Sequence, residues 1–230
     1  AFNNPAHPLQ VIAEWDFINN DGNTGIQAGD PGNQHMHGTW ILGTIGAYLP
    51  GTLVGGACDA RFILCKTEVV PSETPIEEDY YVAGLEFIEA HGADVATSSL
   101  GYIDWYTQAD LNGDIAVTTK AVNIATANGV VCCTAAGNEG HDSDPATASL
   151  LAPADAYNVI TCGAATLSGA IASFSSSGPT ADGRVKPELL ACGVSTVTVD
   201  STAATGLNAV NGTSLSTPLV AAAAACILQA

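Results

Sequence analysis

Apolar residues in this chain gather into short continuous runs, and the segments between them show either helical spacing or glycine-marked turns. Val11-Ile12-Ala13 leading into Trp15-Asp16-Phe17-Ile18 predicts a first strand. Ala60 to Lys66, Asp94 to Ser98, Val130 to Ala135, Asn158 to Ala164 and Glu188 to Ala191 predict five more. Such runs are short and apolar on both faces, as in strands buried on both sides of a sheet. Between them, Thr39 to Tyr48 places Ile41, Ile45 and Tyr48 on one helical face. Thr74-Pro75-Ile76-Glu77 reads as a capping box with proline at the first helical position. It opens a helix that packs Tyr80, Gly84, Phe87 and Ile88 and ends at His91-Gly92. A third helix runs from about Thr118 to Asn128 and stops at Gly129, and an alanine-rich helix follows Ser214. Strands that alternate with helices predict an α/β fold: a three-layer parallel sheet with helices on both faces. In such sheets functional groups lie beyond the C-terminal strand ends.

The chain has 230 residues, 47% of them hydrophobic, enough for one core, so residues 1–230 are read as a single domain. Twenty-three acidic residues against five lysines and arginines give a net charge of −18. That balance excludes nucleic acid and anionic membranes as expected partners. The apolar run from Leu219 to Leu228 is too short to span a bilayer. No C-x-x-C pair occurs among the seven cysteines, which argues against a zinc site. Cys132, Cys133, Cys162 and Cys192 lie in apolar runs and are read as small core residues. Asp21, Asn23 and Asp30 are oxygen ligands of the kind calcium takes, but their spacing matches no calcium loop. The preferred reading is a solvated turn, as it is for Asp110 to Asp114. No cofactor is therefore expected; calcium stays open as an alternative that no specific motif supports.

Three polar sites stand out against this frame. Ser214 lies where the glycine-containing turn Asn211-Gly212-Thr213 meets the alanine-rich helix. A helix N-terminus offers free N–H groups and the positive end of the dipole, which suits an oxyanion beside a serine nucleophile. A lone serine there is more simply an N-cap. His37 opens a helix beside Gly38 and Gly43, which permit close backbone approach, and taken alone it is equally compatible with packing and with function. Asn138 lies in Gly137-Asn138-Glu139-Gly140, which fits a turn as readily as an oxyanion donor.

Together, His37-Gly38-Thr39-Trp40-Ile41-Leu42-Gly43, Ala135-Ala136-Gly137-Asn138 and Gly212-Thr213-Ser214-Leu215-Ser216-Thr217-Pro218 resemble three blocks of the subtilisin-like serine proteases. The blocks are H-G-T-x-x-x-G, A-x-G-N and G-T-S-x-x-x-P, and they come in the family's order. Ser99-Leu100-Gly101, Phe174 to Pro179 and Val185 to Glu188 extend the resemblance over nearly the whole chain from about position 35. The resemblance implies a serine endopeptidase in which Ser214 is the nucleophile and His37 the general base. Asn138 and the Ser214 N–H would bind the oxyanion. Ser99, Leu100 and Gly101 resemble the segment that pairs with substrate backbone, and Ala135, Ala136 and Gly137 the other wall of the S1 pocket. The floor would come from about Leu151 to Ala154, and small apolar walls suggest an apolar P1 residue. The same resemblance implies polypeptide substrates, a monomer and an extracellular setting.

One part of the family pattern is missing. No D-[ST]-G motif occurs, and Asp16 lacks the following glycine and precedes His37 by only 21 residues (37 − 16). Asp16 is expected to serve a local turn near Asn19 to Asp21. Read this way, the chain starts after the triad aspartate and stops at the serine helix, without the family's first core strand and last helix. The alternative is a protease-like fold without catalysis, a binding or scaffolding module. Two geometric expectations follow: Ser214 Oγ within hydrogen-bond reach of a His37 ring nitrogen, and the Asn138 amide turned toward the space before Ser214.

Overall fold

The computed structural model describes residues 1–70, 72–144, 146–203 and 205–230. In chain order the elements are β1 (Gln10–Asp16), α1 (Met36–Gly46), β2 (Tyr48–Leu49), β3 (Leu53–Val54), β4 (Arg61–Lys66), α2 (Ile76–Ala90), β5 (Val95–Ser98), α3 (Val117–Ala127), β6 (Val131–Ala135), β7 (Ile160–Ala165), β8 (Leu189–Cys192), β9 (Thr196–Val199), β10 (Leu207–Val210) and α4 (Thr213–Gln229). The central sheet is β5-β6-β7-β8, parallel throughout, with Ser98 opposite Thr134 and Ala135 opposite Cys162. β1 and β4 form a separate parallel pair. β2 with β3 and β9 with β10 are antiparallel hairpins.

Side-chain alternation sorts the two faces of the sheet. Ala96 and Cys132 point toward α2 and α3, where they pack with Tyr81, Leu85, Val122 and Ala125. Cys133 and Cys162 point the other way, against Ala221 and Val220 of α4. α1 lies against α4 on that second side. These are the three layers that alternation of strands and helices predicts. The cysteines at 132, 133 and 162 are buried core residues, Cys192 is half-buried, and all seven are unpaired. Burial pushes the Cys132 and Cys133 thiols up to about 12.

Three local expectations are corrected. α2 buries Tyr81 and Leu85, not Tyr80. Its apolar surface is wider than one stripe, because Phe87 packs edge-on to Phe17 and beside Trp15. α1 ends at Gly46, so Tyr48 leaves the helical face and enters β2. The capping box at Thr74 forms only in part. The Glu77 carboxylate accepts the Thr74 N–H at 2.6 Å, but the Thr74 hydroxyl also turns to that carboxylate and caps no backbone.

The hairpin β9–β10 was not evident from the apolar runs, and it fixes α1. Thr198 Oγ1 donates to the Trp40 carbonyl at 2.6 Å. Gly43 faces the same strand so closely that a Cβ there would lie 2.4 Å from Thr198 Oγ1 and 2.8 Å from Val199 Cγ2. Gly38 has no such neighbour within 4 Å, so close approach explains Gly43 alone.

Candidate active site

His37 lies in the first turn of α1 and is half-buried. Removal from water holds its imidazole below the ordinary value of 6.5. Its side chain makes no hydrogen bond or ion pair among the described residues. Ser214 lies in the first turn of α4, also half-buried. The turn before it depends on Gly212, whose φ of 149° is a region that side chains rarely enter.

The expected hydrogen bond between Ser214 and His37 is not formed. Ser214 Oγ donates instead to the Ser99 carbonyl at 3.3 Å, and Ser99 Oγ donates back to the Ser214 carbonyl at 2.8 Å. A hydroxyl takes the nearest unfilled acceptor, and the carbonyl at the end of β5 provides one. At 3.3 Å the bond is long for O–H···O, so it restrains the rotamer weakly. Ser99 in turn shares a cavity wall with His37 and Leu100.

Asn138 follows β6 on the exposed surface, and its orientation is set by the residue before Ser214. Its Oδ1 accepts the Thr213 N–H at 2.9 Å and the Thr213 hydroxyl at 3.1 Å. A backbone N–H can only donate, so the atom facing it must be the amide oxygen, and the NH₂ group is left facing outward. Among the described residues that NH₂ group has no partner, and neither has the Ser214 N–H. A Cβ built on Gly212 would lie 3.6 Å from Ser214 N and 3.8 Å from Asn138 Oδ1, which places the Asn138 amide at the same turn as the Ser214 N–H. Thr213, the residue that orients Asn138, escaped sequence reasoning, although it stands inside the G-T-S block.

The two expected walls meet at Leu151. A Cβ on Gly101 would lie 2.6 Å from Leu151 Cβ, and one on Gly137 would lie 2.7 Å from Leu151 Cγ. Leu151 N–H donates to the Ala136 carbonyl at 3.1 Å, and Tyr102 bridges Ala152. The peptide groups of Leu100 and Gly101 have no backbone partner among the described residues, which leaves that edge open to an added strand. The methyl groups of Ala135 and Ala136 are buried in the core, and Ala136 N–H is taken by the Cys162 carbonyl.

Asp16 makes no hydrogen bond or ion pair with His37 or Ser214 among the described residues. It is fully buried, and its carboxylate accepts the Ile18 and Asn19 N–H groups at 2.8 and 2.9 Å, Asn19 Nδ2 at 2.9 Å and Gln27 Nε2 at 3.2 Å. Lys66 Nζ lies 2.8 Å away and is shared with Asp30 at 2.7 Å. Burial pushes the Asp16 carboxyl up, but the Lys66 ammonium and the Asn19 and Ile18 donors outweigh it and hold the group below its ordinary value. This is the local turn role expected of Asp16. Asp21 and Asn23 cap neighbouring N–H groups in the same loop.

A family model described as the subtilase family matches residues 11–230. Subtilisin E of Bacillus subtilis (strain 168) is 35% identical over 84% of this chain and 45% of that protein. Subtilisin DY of Bacillus licheniformis is 35% identical over 96% of this chain and 71% of that protein. The chain spans about half the length of most of the curated relatives it matches, 45% in the case of subtilisin E. Among solved structures, a cold adapted subtilisin-like serine proteinase superimposes with a TM-score of 0.70 at 26% identity, over 96% of this chain and 68% of that one. The self-cleaved protease domain of PatA gives a TM-score of 0.70 at 24% identity, over 94% of this chain and 72% of that one.

Proposed function

The chain belongs to the subtilase family, and on that premise we propose that it carries the machinery of a serine endopeptidase acting on polypeptides in an extracellular setting, as a monomer. Ser214 Oγ attacks the scissile carbonyl carbon while its proton passes to His37. The tetrahedral oxyanion receives hydrogen bonds from the Asn138 amide and the Ser214 N–H. Collapse breaks the C–N bond, and the proton on His37 goes to the leaving amine. Water then repeats the sequence on the acyl-enzyme. The observation that carries this reading is the pair of unpartnered donors. Thr213 holds the Asn138 oxygen, so that the amide NH₂ and the Ser214 N–H are both free at the N-terminus of α4. Burial keeps His37 in the neutral form that a base requires. Leu100 and Gly101 would pair with substrate backbone, with Gly137 and Leu151 beside the P1 side chain.

No helix of the described residues is long and apolar enough to cross a membrane. A fluorophosphonate probe tests the proposal. It should add to Ser214 with loss of fluoride, at a rate that rises as His37 deprotonates, and Ser214→Ala should abolish the addition. A second reading has its own support: His37 has no hydrogen-bonded carboxylate among the described residues, and the Ser214 hydroxyl rests on Ser99. Loss of the orienting carboxylate from a Ser-His-Asp triad costs about 10⁴-fold. A folded chain that takes up no probe would leave the binding or scaffolding module as the better reading.

A further inference from the structure

The N-terminal arm comes to rest against the loop that leads into β4. Asn4 turns the chain there: its Oδ1 accepts the Ala6 N–H at 2.9 Å, and its carbonyl accepts the His7 N–H at 3.2 Å. The His7 ring lies on Tyr48, with ring centroids 3.9 Å apart. Its Nδ1 meets Asp59 Oδ1 at 2.6 Å. The Cys58 thiol completes the group: His7 Nδ1, Cys58 Sγ and an Asp59 carboxylate oxygen all lie within 4.8 Å of one another. His7 and Cys58 are half-buried, and Asp59 is exposed.

The loop that carries Cys58 and Asp59 is fixed from two sides. Gly55, Gly56 and Ala57 donate their N–H groups to the carbonyls of Ala47, Thr44 and Ile45 at 2.7, 3.2 and 3.0 Å, which fastens it to the end of α1. A Cβ on Gly55 would strike the Ile45 carbonyl oxygen, and one on Gly56 would lie 2.7 Å from Ala222 Cβ of α4. Backbone held this firmly presents its side chains in a set geometry. A hydrogen bond between His7 and Asp59 accounts for two of the three groups, stabilises little at an exposed position, and gives the thiol no task. The donor set narrows the choice of ligand. Calcium and magnesium take oxygen atoms, whereas one imidazole, one thiolate and one carboxylate suit a borderline cation, zinc first. Bonds of about 2.0–2.3 Å to tetrahedral zinc place neighbouring donors about 3.3–3.8 Å apart. His7 Nδ1 and Asp59 Oδ1 therefore have to part by about 0.7 Å from 2.6 Å, which the exposed Asp59 side chain can accommodate. The metal takes the Nδ1 lone pair, the ring keeps its proton on Nε2, and the Cys58 proton passes to solvent. The absence of a C-x-x-C pair does not bear on this site, because its donors come from segments 52 positions apart.

We propose that His7, Cys58 and Asp59 form a zinc site that clips the N-terminal arm to the loop before β4, with water in the fourth position. The site uses none of the groups assigned to hydrolysis and does not depend on that reading.

The test uses the full reduced chain, stripped of metal by a chelator and titrated first with cobalt(II) as a spectroscopic probe and then with zinc. The expected result is a single equivalent of cobalt that gives a thiolate-to-cobalt charge-transfer band with the d–d bands of a four-coordinate ion, displaced by a single equivalent of zinc. Cys58→Ser should remove the charge-transfer band, while Cys192→Ser, which alters a half-buried thiol elsewhere, should keep it. Changing a partner of a ligand costs about 10–100-fold in metal affinity, so loss of a direct ligand in His7→Gln, Cys58→Ser or Asp59→Asn should weaken zinc binding by at least about hundredfold. Hydrogen exchange supplies a readout independent of colour, with the amides of β6 and β7 reporting that each variant is folded. Zinc should slow exchange at His7 and Leu9, whose N–H groups bond within the arm, by at least about tenfold in the parent and in none of the three ligand variants. No cobalt spectrum in large metal excess, a charge-transfer band that survives Cys58→Ser, or zinc bound without slower exchange in the arm would each overturn the proposal.

Discussion

Replacing Asp16 by asparagine separates its role as a structural charge from any role beside His37. The substitution keeps the shape of the side chain and one acceptor oxygen, which can still receive the Ile18 and Asn19 N–H groups. At the other oxygen an NH₂ group would face Lys66 Nζ, Asn19 Nδ2 and Gln27 Nε2, all of them donors. Breaking a buried ion pair by removing one partner costs about 3–5 kcal/mol. Lys66 keeps Asp30 at 2.7 Å, which argues for the lower half of that range. With a urea slope of about 2 kcal/mol/M, a loss of about 3–4 kcal/mol lowers the unfolding midpoint by about 1.5–2 M. The pH dependence supplies a second check. The Asp16 carboxyl is held below its ordinary value of 3.8, so its contribution is fully present above that value. It is lost as pH falls through the folded-state value. The stabilities of parent and variant should therefore converge in acid. An unchanged midpoint, or a gap that persists at low pH, would refute the charge-pair argument. Parent-like stability with serine labelling lost would make Asp16 the acid that orients His37.

Further predictions concern the site and the helix beneath it. Asn138→Ala should lower kcat by about 10²–10³-fold, with KM little changed, because the donor acts on charge that develops in the transition state. Thr213→Val removes the hydroxyl but not the N–H that hold Asn138 Oδ1; kcat should fall less than in Asn138→Ala, and Thr213→Ser should restore it. His37 should titrate below 6.5 by NMR. Since the unfolded chain takes up that proton first, stability should decline as pH drops below 6.5 toward the folded-state value, and His37→Gln should flatten that slope. Gly43→Ala places a methyl 2.4 Å from Thr198 Oγ1 and should cost about 1–3 kcal/mol in urea denaturation. Gly38→Ala, with open space around it, should be neutral or stabilise α1 by up to about 1 kcal/mol.

The strands were legible because burial on both faces writes a continuous apolar run into the sequence. Val131–Ala135 and Ile160–Ala165 lie close to where those runs predict them. The hairpin β9–β10 left a fainter signal. Thr196-Val197-Thr198-Val199 alternates, but Thr196 and Thr198 turn inward while Val197 is exposed, so polarity marks the wrong face. On α2, Tyr80 and Tyr81 begin two stripes of identical spacing. Tyr81, Leu85 and Ile88 face the core, while Gly84 and Phe87 face Cys65 and Phe17. Periodicity shows that such a helix is covered on two sides, but only tertiary contact decides which residue of an adjacent pair goes deeper.

At the candidate site the sequence names the candidates His37, Asn138 and Ser214, while their hydrogen bonding comes from the fold. Every helix begins with several N–H groups that lack intrahelical partners, so an oxyanion site at a helix N-terminus needs one donor kept free and its neighbours silenced. α4 has no side-chain cap on its own N-terminus. Its first N–H, at Thr213, goes to Asn138 Oδ1 at 2.9 Å, and its third, at Leu215, goes to the Gly212 carbonyl at 3.0 Å. Between them the Ser214 N–H has no partner among the described residues. The Thr213 bond therefore has two effects: it removes a competing donor from the helix end, and it turns the Asn138 NH₂ away from Thr213. Neither effect can be read from the order Gly212-Thr213-Ser214, because Asn138 lies 75 residues earlier in the chain. The parallel register of β5, β6 and β7 brings it there, by ending β6 beside the turn that opens α4.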